Sequence, residues 1–182
     1  MANVWNGTNI RLRPVMESDL DGYFNVKNVD TDIQRLAGSV SFPLRQSQME
    51  SFIERVTSKD GSDDVFYFII EDKDGNVVGD LNTSDCNRRS GTFKYGLAIN
   101  KEYWSKGFGS EAVQMVLNYY FNELRYQKVT VSVYSFNEQS CGFHKKLGFK
   151  EEGLLRRMAY VNGKYHDEVI LGMTAEEFNA LK

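Results

Sequence analysis

The clearest pattern along the chain is a helical stripe of apolar residues directly after two glycines. Apolar residues recur at three- and four-residue spacing, the period of a helix with one buried face: Ala112, Val113, Val116, Leu117, Tyr120, Phe121 and Leu124. Gly107 and Gly109 precede this stripe, and glycine permits positive φ or close approach of backbone to a ligand. Because free N–H groups at a helix N-terminus bind phosphate, the segment 104–110 is either a phosphate-binding loop or a plain tight turn.

A second element lies downstream of this helix. Residues 128–134 alternate apolar and polar positions and are rich in β-branched residues, which predicts a strand. Asn137 is a good N-cap for a short helix, and Gly148 is a good residue to follow its end. The central unit is therefore predicted as strand, loop, helix, strand and short helix.

The remaining pattern predicts a mixed α/β fold. Strands are expected over 10–13, 65–70, 77–82 and 92–99, with a hairpin turn at Asp74-Gly75. Two more strands, near 150–161 and 164–173, are joined at Asn162-Gly163. Helices are expected over 17–28, capped by Ser18, and over 46–58, with irregular chain over 29–46. Without a linker or repeat, residues 1–182 are expected to form a single domain.

Composition narrows the class of protein. The 182 residues are 41% hydrophobic and 26% charged, which is ordinary for a globular domain. The net charge of −3 gives no general attraction to nucleic acid or anionic membranes, and it is compatible with cationic substrates. Cys86 and Cys141, with two histidines far from both, form neither a disulfide framework nor a metal-binding spacing. With no targeting segment or long apolar run, a cytoplasmic location is expected.

Two motifs together carry a family resemblance. The first runs Trp104-x-x-Gly107-Phe108-Gly109, and the second runs Asn137-x-x-Ser140-x-x-x-His144 before Gly148-Phe149. They resemble the GNAT superfamily of acetyl-CoA-dependent N-acetyltransferases, whose signatures are (Arg/Gln)-x-x-Gly-x-(Gly/Ala) and Asn-x-x-(Ser/Ala)-x-x-x-Tyr. Trp104 replaces Arg or Gln, as is common in the branch of ribosomal-protein and spermidine acetyltransferases. His144 replaces Tyr. Segments near both ends of the chain also resemble this branch.

The resemblance implies a fold and a set of cofactor contacts. The GNAT fold has a central, mostly antiparallel sheet that splays between two parallel strands, where acetyl-CoA enters, and helices flank the sheet. Leu97, Ala98 and Ile99 would pair with the pantetheine arm, and the N–H near Ile99 would polarise the thioester carbonyl. The other implied cofactor contacts are Trp104, Ser105, Lys106, Gly107, Phe108, Gly109, Ser110, Asn137, Ser140 and Phe143. For Lys106, a solvated surface lysine is the alternative.

The resemblance also implies a homodimer or small homo-oligomer without a metal requirement. The family's Tyr is commonly assigned as the proton donor to the departing thiolate. His144 shares a helix face with Ser140, so it is a candidate for this role. The alternative is a histidine that only contacts the pantetheine.

The general base and the acceptor are less constrained. Asp80, Asp85, Glu102 and Glu138 are candidate bases by position or charge alone. A lysine-type amine is neutral at only about one part in 2,500 at pH 7, whereas an α-amine is neutral at roughly 10–15%. An α-amine manages with water as base, so the favoured acceptor is a protein N-terminus. A polyamine or aminoglycoside, or a non-catalytic acetyl-CoA-binding module, remains the alternative.

Overall fold

A computed structural model describes residues 3–24, 30–58 and 61–181 of the chain. Within these ranges, seven strands form one sheet in the order β1-β2-β3-β4-β5-β7-β6. The strands are β1 (Ile10–Pro14), β2 (Tyr67–Asp72), β3 (Val77–Asn87), β4 (Thr92–Ile99), β5 (Lys128–Tyr134), β6 (Lys150–Val161) and β7 (Lys164–Thr174).

Five α-helices accompany the sheet in the described part of the chain. They are α1 (Thr31–Leu36), α2 (Gln46–Thr57), α3 (Phe108–Asn122), α4 (Glu138–Lys146) and α5 (Ala175–Asn179). A single π-helical turn covers Leu20–Phe24, and a 3₁₀ turn covers Lys101–Tyr103. No helix within the described ranges is both long and apolar enough to cross a bilayer.

The sheet is antiparallel except at its centre. β4 and β5 run parallel and pair over three residues only, Thr92–Lys94 with Lys128–Thr130. β5 pairs along its whole length with β7 instead, so β4 and β5 diverge beyond Lys94. The predicted mixed α/β class and the predicted splay between two parallel strands are both confirmed.

The sheet carries apolar core on both faces. One face is covered by the predicted stripe of α3, in which Ala112, Val116 and Leu117 are at most 1% exposed. The opposite face packs against α2 and the π-helical turn through Met49 and Ile53. The first layer contains residues of both β4 and β5, whereas the second lies on the side of β1 to β3.

Several predicted elements differ from the structure. The interval 29–46 was expected to be irregular, yet it contains α1, whose first N–H groups are capped by the Asp30 carboxylate. Six residues are too few to show a helical stripe. The helix expected over 17–28 is a π-helical turn within the described residues, and residues 25–28 of that prediction lie outside them. The strand expected over 65–70 begins at Tyr67, β3 runs on to Asn87, and α5 was not predicted.

The predicted turns are confirmed. Asp74-Gly75 links β2 to β3, and Asn162-Gly163 links β6 to β7. Asn162 and Gly163 have φ of 51° and 78°, as a two-residue type I′ hairpin turn requires. The helix over 46–58 and the strands over 92–99 and 128–134 lie where the sequence placed them.

Candidate active site

The divergence of β4 from β5 leaves one edge of β4 facing a gap. The Asn100 N–H donates to Val78 O at 2.9 Å, so even-numbered backbone groups of β4 point toward β3. Since backbone groups alternate along a strand, those of Leu97 and Ile99 point toward the gap. The Ile99 carbonyl accepts from Trp104 Nε1 at 2.7 Å on this side. Ala98 was predicted to pair with the pantetheine arm together with Leu97 and Ile99. It differs from these two residues, because its backbone groups point toward β3.

The loop from Ser105 to Gly107 turns sharply into α3. Ser105 and Gly107 both have positive φ, 62° and 85°, and Lys106 lies between them. Gly107 is the N-cap of α3, and it has no side chain with which to cap this helix end. The N–H groups of the first turn therefore have no intrahelical partner and are available to an anion. Lys106 Nζ lies 4.7 Å from the centroid of the Tyr103 ring.

Gly109 brings the predicted cofactor residues together. It lies in the first turn of α3 rather than before the helix. A Cβ atom at this position would lie 3.3 Å from Leu97 Cδ2, 3.4 Å from Ile99 Cγ1 and 3.6 Å from Phe143 Cε2. The close packing leaves no room for a larger branched side chain. The outer half of β4, the start of α3 and the middle of α4 therefore meet at Gly109.

Asn137 begins α4, the second helix of the site. Its side-chain oxygen accepts from Ser140 N at 3.1 Å, which confirms the predicted N-cap. Gly148 follows the helix with φ of 96°, also as predicted. Because the cap uses Oδ1, the Nδ2 group is the part of the side chain with which Asn137 can donate to a ligand.

His144 lies in the core beneath α4 and is 5% exposed. Its Nδ1 is 2.8 Å from the Ser140 carbonyl oxygen and 3.4 Å from Ser140 Oγ. A carbonyl only accepts, so Nδ1 carries the proton. Burial lowers the pKa of His144, and the hydrogen bond to Ser140 opposes this only in part. The ring is therefore neutral at pH 7, with its single N–H directed at the backbone.

A carboxylate lies on the opposite face of the sheet. Asp80 is 2% exposed, and it pairs with Ala98 across β3 and β4. The Tyr23 hydroxyl donates to Asp80 Oδ1 at 2.7 Å, and the Tyr67 hydroxyl donates to Oδ2 at 3.2 Å. Burial and the nearby Asp80 charge raise the pKa of both tyrosines well above the usual value, so both keep their protons. In the sequence, the aromatic residues of this face look like ordinary core residues. The hydrogen bonds from Tyr23 and Tyr67 to Asp80 were therefore not predicted.

Tyr23 also lines a cleft of about 480 Å³ on that face. Its other lining residues include Asp19, Asp30, Lys101 and Glu102. Asp19 is ion-paired with Arg13 at 2.7 Å, and Asp30 lies 3.7 Å from Lys101 Nζ. Carboxylates outnumber the single cation of this lining set.

The other candidate bases are dispersed. Asp85 is exposed and pairs with Lys94 Nζ at 2.9 Å, at the end of β4 away from the gap. Glu138 lies in the first turn of α4, and Glu102 lies in the 3₁₀ turn after β4. Of these three, only Glu102 lines the cleft that Tyr23 shares, and Asp85 and Glu138 are not among its lining residues. Among the described residues, no group of three or more His, Cys, Asp or Glu side chains could hold a metal ion.

Comparisons with known proteins show what this chain is similar to. The model of the acetyltransferase (GNAT) domain matches residues 9–150. The SPbeta prophage-derived uncharacterized N-acetyltransferase YokL of Bacillus subtilis (strain 168) is 41% identical over 174 residues, 96% of this chain and 94% of that protein. The ribosomal-type N-acetyltransferase YdaF of the same organism is 30% identical over 109 residues, 60% of each.

A solved structure extends the comparison to the fold. The crystal structure of spermidine N-acetyltransferase from Vibrio cholerae in complex with CoA and spermine superposes with a TM-score of 0.83. The match covers 93% of this chain and 98% of that one at 20% sequence identity.

The two roles of Asn137 are separable by substitution. Asn137→Ala removes the cap of α4 and should lower the free energy of unfolding by about 1 kcal/mol. Asn137→Asp keeps the capping oxygen but replaces the Nδ2 donor, so it should fold with near wild-type stability and bind coenzyme A more weakly. Denaturant unfolding and titration calorimetry with coenzyme A measure the two effects. Wild-type affinity in Asn137→Asp would limit Asn137 to capping.

Proposed function

We propose that this chain, which belongs to the GNAT acetyltransferase family, transfers an acetyl group from acetyl-CoA to a primary amine. The family match confirms the resemblance found in the sequence and makes the chain an acyltransferase. The observation that carries the proposal is the meeting of Leu97, Ile99, Gly109 and Phe143 beside the gap between β4 and β5.

The start of α3 suits the pyrophosphate of coenzyme A. Ser105 and Gly107 have positive φ on either side of Lys106, and backbone that alternates in handedness in this way forms anion-binding concavities. The uncapped N-terminus adds the partial positive charge of the helix. Lys106 would contribute a full charge after leaving the Tyr103 ring. Residues 105–110 would therefore hold the phosphates.

The open edge of β4 suits the pantetheine arm, whose amides need backbone partners. Leu97 and Ile99 would donate or accept along this edge in place of β5, while Asn137 Nδ2 would donate from α4. Bound acetyl-CoA supplies the acetyl group as a thioester. The Ile99 N–H, directed into the gap, would donate to the oxygen on which negative charge develops during attack by the amine.

Asp80 is the candidate base that we retain. It lies on the face of the sheet opposite α3 and α4, beside the acidic cleft. Tyr23 both lines that cleft and donates to Asp80, so its hydroxyl would accept a proton from the amine while passing its own to the carboxylate. In this arrangement the acceptor approaches from the cleft and acetyl-CoA from the other face.

For the acceptor, we propose the α-amine of a protein N-terminus. It needs less deprotonation at pH 7 than a lysine-type amine. A polyamine is the second candidate, because carboxylates predominate in the cleft lining. The fold relative from Vibrio cholerae is described as a spermidine acetyltransferase in complex with spermine, which makes this candidate worth testing in parallel.

The glycine at the centre of the site provides a direct test of coenzyme A binding. Gly109→Val adds branched carbon atoms beside Leu97, Ile99 and Phe143, so it should reduce coenzyme A binding at least about 100-fold while the fold persists. Gly153→Val is the matched control, since a Cβ atom there meets nothing within 4 Å. Titration calorimetry with coenzyme A measures both variants. Unchanged affinity in folded Gly109→Val would place the cofactor elsewhere.

Thiol release in the presence of different amines tests the acceptor. At pH 7, peptides with free N-termini should react faster than spermidine or an aminoglycoside. Their rate should level off near pH 8, where an α-amine is mostly neutral, whereas a lysine-type amine would keep gaining rate toward pH 10. Faster release with spermidine at pH 7 would favour the polyamine alternative. Tight coenzyme A binding without release by any amine would favour a non-catalytic module.

We further propose a homodimer or small homo-oligomer that works without a metal. Edge strand β6 exposes apolar side chains, among them Leu154, Met158 and Tyr160, which a second copy of the chain would cover. Sedimentation velocity at micromolar concentration should show a species larger than a monomer, and Met158→Lys should shift it toward the monomer. A purely monomeric wild type would reject the oligomer. Activity lost to a chelator and restored by a metal would reject metal independence.

A further inference from the structure

Two buried side-chain polar atoms in the described part of the chain have no hydrogen-bond partner, and their rings are neighbours. They are Tyr95 Oη on β4 and His144 Nε2 on α4. The two ring centroids lie 5.8 Å apart, and both rings contact Phe149, at 6.2 and 5.3 Å. A buried polar group without a partner costs free energy comparable to a lost hydrogen bond. Two such groups in one cluster therefore require a common explanation.

The protonation of the two groups is complementary. His144 Nδ1 donates to the Ser140 carbonyl at 2.8 Å, so Nε2 of the neutral ring holds a lone pair. Burial raises the pKa of Tyr95 well above its usual value, so its hydroxyl keeps its proton. One group is thus a donor that needs an acceptor, and the other is an acceptor that needs a donor.

The location of the pair connects it to the cofactor gap. Tyr95 is the first residue of β4 beyond the last one paired with β5. Its side chain shares a face of β4 with Leu97 and Ile99, which contact the start of α3. His144 follows Phe143 on α4. A link between Tyr95 and His144 would therefore fix the two walls of the gap relative to each other at the point where the strands part.

We infer that one buried water accepts a hydrogen bond from Tyr95 Oη and donates one to His144 Nε2, and that this buried link positions α4 against β4 for cofactor binding. His144 is then a positioning residue and not the acid that protonates the departing thiolate. The single ring proton of His144 lies on Nδ1, which donates to Ser140 O, so Nε2 has no proton to donate. The inference deepens the proposed function, since the positioning serves the acetyl-CoA site.

The ring nitrogens of His144 report on the link without any assay of activity. The chain has only two histidines, so a His166→Asn variant assigns the ¹⁵N spectrum. In the wild type, Nδ1 should be protonated and Nε2 should show the shift of a hydrogen-bonded imine nitrogen. Tyr95→Phe should move the Nε2 resonance toward that of an imine nitrogen without a donor. A protonated Nε2 in the wild type, or an Nε2 resonance unaffected by Tyr95→Phe, would overturn the link.

Tyr126→Phe is the matched control. It removes another buried hydroxyl, which donates to Asp64 Oδ2 at 2.8 Å. This variant should leave the His144 resonances unchanged. A shift of the same size in Tyr126→Phe would mean that the Nε2 signal reports general loosening of the core, which would also contradict the link.

Kinetics then separate positioning from catalysis. Tyr95→Phe should raise KM for acetyl-CoA by up to about tenfold, the equilibrium equivalent of one hydrogen bond, with a much smaller change in kcat. His144→Ala should behave in the same way. An unchanged KM in Tyr95→Phe would refute the positioning role. A kcat about 100-fold lower in His144→Ala alone would restore His144 as the acid. If no amine supports turnover, the NMR result still decides the link independently of the proposed function.

Discussion

The structure depends on a parallel pairing that stops after three residues. β4 and β5 are held together at Thr92–Lys94, and there the sheet is continuous. β5 pairs with β7 along its whole length, through seven register pairs, and β4 pairs with β3. Both strands therefore stay extended while the space between them opens. Backbone groups that would form a ladder in an ordinary sheet remain directed into the gap, where polar groups need partners.

The neighbouring helices make this gap specific. α3 begins at the end of the gap nearest Ile99, and its N-terminus brings uncapped N–H groups to that end. Gly109 lets the helix approach β4 so closely that even a Cβ atom at this position would lie only 3.3 to 3.4 Å from the side chains of Leu97 and Ile99. α4 completes the wall through Phe143. An extended ligand with amides along its length and an anionic group at one end would satisfy both sets of backbone groups at once.

Local signals in the sequence were enough to predict the parts of the site that depend on backbone conformation. The capping geometry or dihedral angle at three positions favours the residue type found there: Asn137, Gly148 and Gly107. Such residues can be recognised in a sequence motif without knowledge of the tertiary structure. The stripe of α3 was equally readable, because its period is a property of the helix alone. The fold class followed from the order of these elements together with the family resemblance.

Features that arise from tertiary packing could not be predicted in this way. Nothing near Tyr95 in the sequence indicates that its ring lies beside that of a histidine 49 positions later, since β4 and α4 meet only after the sheet has splayed. The same holds for Asp80, which Tyr23 and Tyr67 enclose from separate elements. α1 was missed because a helix of six residues depends on the Asp30 cap more than on an apolar stripe.

The chemistry of the leaving group weakens the need for a buried acid. A thiol with a pKa of about 8.5 is a far better leaving group than an alcohol or amine, and its thiolate is protonated by water near neutral pH without a dedicated donor. Using His144 for this purpose would require a charged imidazolium in a site that disfavours charge. Each unit by which burial lowers its pKa adds about 1.4 kcal/mol to that cost. A neutral histidine linked to Tyr95 avoids this cost and still contributes to the reaction, because the link holds the walls of the gap in register.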